Sequence, residues 1–312
     1  MKIKVAIVGY GNLGKAIEQQ VLNEKNIKLV AIFSRRNIKA KSSTPVYATS
    51  QILKFKNKVD LLILCNGSQS DMFLDAQTLS KHFNTINSFD THSKIPLLYK
   101  KLDYIAKKTG HIAILAVGWD PGLFSTIKAM FSNISNSPSI CFWGKGISLG
   151  HSQAARQIEN VKDAISLTLP NNKAKSAALT NKPINSLLHK RQVFVVSKKT
   201  SYNSSIRQQI LNLPHYFKGQ DVDIKFVSQQ KLNKLKNLKH KGEVICSTPS
   251  HLMHLKVVMQ SNPEFTAKIM LSYVCAFKNI QNNHGFGAYT PLHFSALDLS
   301  PDSTFKTIKK YC

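Results

Sequence analysis

Gly9-Tyr10-Gly11-Asn12-Leu13-Gly14 places glycines at the first, third and sixth positions of a six-residue stretch. At that spacing the first glycine permits a tight turn. The second lets a pyrophosphate approach the backbone, and the third lets a helix pack closely on a strand. The motif is weak alone, because glycine turns are common. Here an apolar run from Ile3 to Val8 leads into it and a helical pattern follows at roughly 13–24. That context makes it a phosphate cradle at a helix N-terminus. Gly9, Tyr10, Gly11, Asn12, Leu13 and Gly14 are therefore read as holding the diphosphate of a dinucleotide.

The next apolar run, Leu29-Val30-Ala31-Ile32-Phe33, ends in Ser34-Arg35-Arg36. A site for NAD would carry Asp or Glu about 20 residues beyond the glycines to hold the ribose 2′-hydroxyl. Ser34 stands there instead. A carboxylate would repel a 2′-phosphate, whereas a hydroxyl and two guanidinium forks would hold one through charge-assisted bonds. NADP is the expected cofactor. A solvated pair of charges is the bland alternative, disfavoured because arginine stands only at 35, 36, 156, 191 and 207 among 43 basic residues. Cys65-Asn66-Gly67-Ser68 follows a third buried run. Loops at the carboxyl ends of parallel strands line the ligand crevice, which puts Cys65, Gly67 and Ser68 beside the cofactor. Cys65 reads as a small core residue and not a nucleophile, since no neighbouring group would lower its pKa.

Two later strand ends carry carboxylates in a chain with only 16 acidic residues: Asn87-Ser88-Phe89-Asp90 and Gly118-Trp119-Asp120-Pro121-Gly122. Converging beside a nicotinamide, Asp90 and Asp120 would suit a substrate ammonium on the carbon that loses hydride. Either alone fits a helix N-cap; the pair favours a site. An ammonium must lose a proton before hydride can leave, and Asp120 is the candidate base. Arg191 offers a planar fork for a carboxylate, against the alternative of an exposed salt bridge on a strand.

Positioning these residues takes an alternation of strands and helices. Apolar runs at 3–8, 28–33, 59–65, 84–88 and 111–117 alternate with helical patterns at roughly 13–24, 70–83 and 94–108. That pattern predicts a Rossmann-type, doubly wound α/β domain whose parallel sheet is covered on both faces. After Pro121-Gly122 strand-like runs at 138–143, 163–169, 191–197, 221–227 and 243–247 are separated by longer polar stretches, with helical patterns near 152–160 and 203–212. This predicts an α+β domain with a largely antiparallel sheet. The lysine-rich stretch 229–241 reads as an exposed excursion, and a last helix is expected from Pro263 to about Gln281.

The bulk numbers narrow the class. The 312 residues suffice for two domains, and 43 % hydrophobic content supports real cores. No apolar run approaches the roughly 20 residues of a membrane span, and the N-terminus is strand-like rather than a signal peptide. Five cysteines without a CxxC pair read as free thiols in a reducing, cytoplasmic compartment. They are not at metal-ligand spacing to the histidines, so no metal is expected. The net charge of +27 would suit nucleic acid, but the charge is dispersed and almost all lysine. It is read as compositional drift, with neither nucleic acid nor membrane as partner.

The sequence resembles the meso-diaminopimelate dehydrogenase family. The matching blocks are Ala6 to Gly14, Ile32-Phe33-Ser34-Arg35-Arg36, Gly118-Trp119-Asp120-Pro121-Gly122, Phe142-Trp143-Gly144, Gly150-His151-Ser152, Thr168-Leu169-Pro170, Lys190-Arg191-Gln192 and Asn262-Pro263-Glu264-Phe265-Thr266-Ala267. They run in the family's order from the first residues to about 290. The resemblance implies a homodimeric, NADP-dependent oxidative deaminase acting at the D-centre of meso-2,6-diaminopimelate in lysine and cell-wall precursor metabolism. It implies that Asp90 and Asp120 hold the D-centre amino group, that Thr168, Arg191, His240 and Asn262 grip the distal L-centre, and that Trp119, Trp143 and Gly150 shape the pocket. His151 would relay a proton or cap the following helix. Residues 1–120 would bind the dinucleotide, with 264–312 packing back on them, and 121–263 would bind substrate and dimerise. Members usually carry His-x-Gly-x-Pro-His-Gly-Gly where this chain keeps only His240-Lys241-Gly242, with Leu235 at the first histidine; Leu149 replaces a usual Gln and Phe89 a usual Tyr. Two other readings stay open: another NADP-dependent amino- or imino-acid oxidoreductase, and a catalytically decayed basic binding protein.

Overall fold

The structure is a computed structural model that describes residues 2–67, 71–214, 216–235 and 238–312. It divides into two compact units, one of Met1–Thr126 with Pro263–Cys312 and one of Ile127–Asn262. The chain runs through β1 (Ile3–Val8), α1 (Asn12–Val21), β2 (Ile27–Ser34), β3 (Val46–Ala48), β4 (Leu61–Leu64), α2 (Met72–Leu79), β5 (Thr85–Asn87), α3 (Ile95–Thr109), β6 (Ile112–Ile114) and α4 (Leu123–Ser135). It continues through β7 (Ile140–Trp143), β8 (Gly146–Ser148), α5 (Leu149–Arg156), β9 (Val161–Pro170), α6 (Asn172–Leu179), β10 (His189–Ser197), α7 (Asn203–Leu211), β11 (Asp221–Phe226), α8 (Gln229–Leu235), β12 (His240–Ser247) and β13 (Leu252–Met259). It closes with α9 (Asn262–Cys275), α10 (Phe277–Asn283), β14 (Gly287–Tyr289), α11 (Ala296–Leu299) and α12 (Thr304–Tyr311).

In the first unit the strands form one parallel sheet in the order β14-β6-β5-β4-β1-β2-β3. Successive residues of β1 enter opposite cores. Ile3, Val5 and Ile7 pack with Ile17 and Val21 of α1 and with Met270, Val274 and Ile280 of α9 and α10. Ala6 and Val8 pack with Met72 and Ala76 of α2 and Leu98 and Leu102 of α3. Both faces are apolar because both are covered, which is why these strands read as continuous hydrophobic runs. One expected helix over 263–281 is two: the α-helical geometry relaxes at Ala276 (ψ −5°), and Val274, Phe277 and Ile280 all bury in one core.

The second unit holds two sheets. One has the order β11-β10-β9-β8, antiparallel except for the parallel β10–β11 pair; the other is the antiparallel β13-β12-β7. The expectation of an exposed excursion at 229–241 is corrected. Gln229–Leu235 is helical, Leu232 is fully buried against Ile165, Leu167 and Phe194, and His240 is a buried member of β12. The lysines stay outside while the leucines between them seal the back of the sheet, a division that amphipathic side chains allow. Lys236 and Asn237 lie outside the described residues. Among the described residues no helix is long and apolar enough to cross a membrane, and no three His, Cys, Asp or Glu side chains gather as a metal site.

Candidate active site

The glycine turn lies between β1 and α1. Gly9 adopts φ +93°, and a Cβ there would collide with Asn66 Oδ1. A Cβ on Gly14 would collide with the carbonyl oxygen of Gly9, so this glycine brings helix and turn into contact. A Cβ on Gly11 would meet no protein atom, so packing does not demand glycine there. Gly11 is also the N-cap of α1 and supplies no side-chain acceptor to the helix. Asn12 is exposed and Leu13 half-buried. Tyr10 contributes backbone only: its ring is buried, and its hydroxyl donates to Glu18. Glu18 is itself fully buried and accepts from Ser42 N (2.9 Å) and Ser42 Oγ (2.6 Å), pinning the loop beyond β2. Burial pushes the Glu18 pKa up, but the bonds from Ser42, Tyr10 and Lys41 outweigh it and hold the carboxyl below its ordinary range.

At the end of β2, Ser34 Oγ is buried and accepts the backbone N–H of Arg36 at 3.1 Å. The two arginines are not equivalent. The guanidinium of Arg35 pairs with Asp71, which holds its pKa further up. Arg36 is exposed and pairs with no carboxylate among the described residues. Cys65 is buried, and burial pushes its thiol up to about 12, which leaves it an inert part of the core. The Gly67 carbonyl accepts from Asp71 N and Met72 N at the start of α2. Ser68 lies outside the described residues.

β5 and β6 are parallel neighbours, so the segments bearing Asp90 and Asp120 leave the same edge of the sheet. Between them Val117 N donates to Asn87 O at 2.9 Å. Asn87 is fully buried; its Oδ1 accepts from Phe89 N, and its Nδ2 has no partner among the described residues. A buried donor without an acceptor is uncommon in a finished core, and this one sits at the carboxyl edge where a parallel sheet takes its ligands. Asp90 is exposed and Asp120 half-buried. The turn before α4 is shaped by Gly122, whose φ of +129° brings it against the Gly118 backbone. Leu123 N and Phe124 N donate to the carbonyls of Gly118 and Trp119, and Gly122 N to Ser125 Oγ. The Trp119 ring packs edge-on to Phe124 at 5.3 Å.

In the second unit strand register assembles a cluster. Thr168 of β9 lies opposite Arg191 of β10 and Gly146 of β8. Trp143 of β7 lies opposite Gly242 of β12. Two glycines press this region together: a Cβ on Gly144 would collide with Thr168 O, and one on Gly146 with the His240 ring. Arg191 is buried, its Nη1 donating to Thr168 Oγ1 and its Nε to Gln220 Oε1 (2.7 Å). Burial lowers its pKa to about 10, so it stays a cation at neutral pH. Both acceptors are neutral, and among the described residues no carboxylate balances the charge. His240 is lowered to about 4 by burial and is therefore neutral. Gly150 lies half-buried in the first turn of α5, and Asn262 half-buried at the start of α9.

His151 holds no mobile proton. Its Nε2 lies 2.9 Å from the Tyr216 carbonyl and its Nδ1 2.9 Å from Ser148 Oγ. A carbonyl can only accept, so Nε2 carries the proton and Nδ1 accepts. Burial, then the Arg191 charge, lowers it to about 4. Sequence reasoning passed over Gln220, His189, Glu18 and Asn87. None carries a pattern of its own, since each takes its role from partners that only the fold brings near.

The parallel sheet with its glycine cradle, and a second unit bearing a buried, unbalanced guanidinium, define a dinucleotide-dependent oxidoreductase class. Residues 118–261 match the family model described as the diaminopimelic acid dehydrogenase C-terminal domain. The chain is 34 % identical to the meso-diaminopimelate D-dehydrogenase of Ureibacillus thermosphaericus over 97 % of each chain. Among solved structures it matches the C. glutamicum DAP dehydrogenase in complex with DAP (TM-score 0.91, 31 % identity, 100 % and 99 % of the two chains). It also matches an engineered D-amino acid dehydrogenase bound to NADP+ (TM-score 0.88, 30 % identity, 100 % of both). The chain belongs to the meso-diaminopimelate D-dehydrogenase family.

Proposed function

We propose that the protein oxidatively deaminates meso-2,6-diaminopimelate at its D-centre. Substrate, NADP+ and water give L-2-amino-6-oxopimelate, ammonia, NADPH and a proton. The observation that carries this reading is Arg191. A guanidinium removed from water and given only neutral acceptors is left with uncompensated charge; a substrate carboxylate supplies the missing anion in bidentate form. Thr168 and Gln220 hold the fork in place for it. Asp90 and Asp120 hold the substrate ammonium, and Asp120 takes its proton. Neutral His240 and Asn262 add uncharged hydrogen bonds at the distal centre.

The cradle fits NADP. Packing requires Gly9 and Gly14, while Gly11 leaves its backbone open to a diphosphate at the N-terminus of α1. Arg36, together with Ser34, holds the 2′-phosphate. When bound, NADP supplies the hydride acceptor. Arg36→Ala should therefore weaken NADP more than Arg35→Ala does, with NAD affinity unchanged in both, because part of the Arg35 fork is engaged by Asp71. Equal effects of the two substitutions in a binding titration would reject that assignment.

A homodimer fits the second unit. Met130 and Ile134 of α4 and Leu252 and Val258 of β13 are apolar and exposed, and Ser135 at the end of α4 meets His251 just before β13 at 2.9 Å, which brings part of this apolar surface together as a partner could cover it. Sedimentation should give twice the 34.9 kDa chain mass, and Ile134→Glu should shift it toward one. The five cysteines are all unpaired, which supports a cytoplasmic location, to be checked by cell fractionation. The central experiment is NADP reduction with meso-, LL- and DD-diaminopimelate. Turnover is expected with the meso and DD isomers, meso preferred. Turnover of the LL isomer, or of none, overturns the reading.

A further inference from the structure

Trp143 ends β7, the edge strand of its sheet. Gly144 N donates to Lys241 O of the neighbouring β12, and backbone amides alternate along a strand. The Trp143 amide therefore faces away from the sheet, where no strand continues. His189, the first residue of β10, meets it there: Trp143 N donates to His189 Nε2 at 2.8 Å. The same imidazole lies flat on the indole, with ring centroids 4.7 Å apart and planes 12° apart. Phe142 packs against the imidazole at 6.0 Å. The residues that follow Trp143 include two glycines, which offer the indole no side-chain support, so its stacking partner comes from another strand.

These contacts differ in kind and converge on one residue. An amide N–H can only donate, so Nε2 is unprotonated and the neutral ring carries its proton on Nδ1. The hydrogen bond fixes the backbone of Trp143, and the parallel stack, at a distance where aromatic planes attract, fixes the plane of the indole. We propose that His189 is a positioning residue for Trp143, setting the face that the indole presents to the substrate and thereby substrate affinity. The proposal rests on the reading above that Trp143 borders the substrate.

Two measurements separate failure of the proposal from failure of that reading. The chain has two tryptophans, so in a Trp119→Phe background emission reports Trp143 alone. There His189→Ala should raise iodide quenching of the emission, and this needs no substrate. In the otherwise unaltered protein, His189→Gln (acceptor kept, ring lost) and His189→Phe (ring kept, acceptor lost) should each raise KM for meso-diaminopimelate about tenfold, the scale of one lost stack or hydrogen bond. His189→Ala should raise it further. The turnover number and KM for NADP should stay within about threefold, the signature of lost uniform binding. Unchanged quenching in His189→Ala overturns the proposal whatever the substrate proves to be. Altered quenching with unchanged KM in all three variants overturns it as well. Absent meso-diaminopimelate turnover in the unaltered protein fails the functional reading, and quenching then decides whether His189 positions Trp143.

Discussion

A zwitterionic substrate has an ammonium to be deprotonated and a distant carboxylate to be held, and the two tasks fall to residues that fail differently. Asp120→Asn keeps size and much of the hydrogen bonding but removes the charge and any base function. Turnover should fall by about 10²-fold or more, the usual scale for a general base. The fold should survive, because the first amides of α4 are satisfied by the carbonyls of Gly118 and Trp119. Arg191→Lys keeps the charge and loses the fork that reaches Thr168 and Gln220 together. KM for diaminopimelate should rise more than turnover falls. Steady-state kinetics distinguish the two, and near-normal turnover in Asp120→Asn would remove Asp120 from the chemistry.

At the scale of elements, α1 depends on one missing side chain. Gly14→Ala would drive a methyl group into the Gly9 carbonyl, a backbone atom that cannot swing aside. The helix must shift off β1, at a cost of about 1–3 kcal/mol for an overpacked contact. NADP affinity should fall with it, because the same turn places the amides that meet the diphosphate. Gly11→Ala meets no protein atom and should leave stability nearly unchanged while weakening the cofactor. A denaturation midpoint and a cofactor titration on each variant test this contrast; equal loss of stability in both would contradict it.

For the molecule as a whole, pH dependence should report the buried histidines. His151 and His240 are both lowered from 6.5 to about 4, chiefly by burial. At pH 7 each is neutral in the folded chain and mostly neutral in the unfolded one, so the two affect stability little. Below pH 6.5 the unfolded chain takes up protons that the folded chain refuses until about pH 4. Stability is therefore lost as pH falls across that window, by at most about 1.4 kcal/mol per pH unit for each histidine. Glu18 and Glu243 are held below 4.5, so their contribution is lost at still lower pH. Denaturant midpoints at pH 7 and pH 5 should differ clearly in the unaltered protein and less in His240→Asn. An equal difference in both would show that His240 is not buried uncharged.

Local chemistry made the cofactor half of the protein readable in advance. A glycine spacing, the absence of a carboxylate after β2 and apolar runs with strand length all act within a few residues of one another. β1 appears where its continuous apolar run predicts, with Val5 to Val8 all buried, because both faces of a covered parallel sheet must be apolar. The elements that escaped were those whose signal is shared with a distant partner. β13 alternates half-buried and exposed residues along an edge, and α8 hides one leucine among lysines. The same holds within the site. Arg191 stood out by scarcity, but that it is buried without a carboxylate follows from strand register between β9 and β10. The neutral state of His240 comes from burial against Gly146, nearly a hundred residues away in the chain, and the tautomer of His189 from the amide it receives. Desolvation and hydrogen-bond geometry depend on what surrounds a group in space, and that is set when remote strands pair.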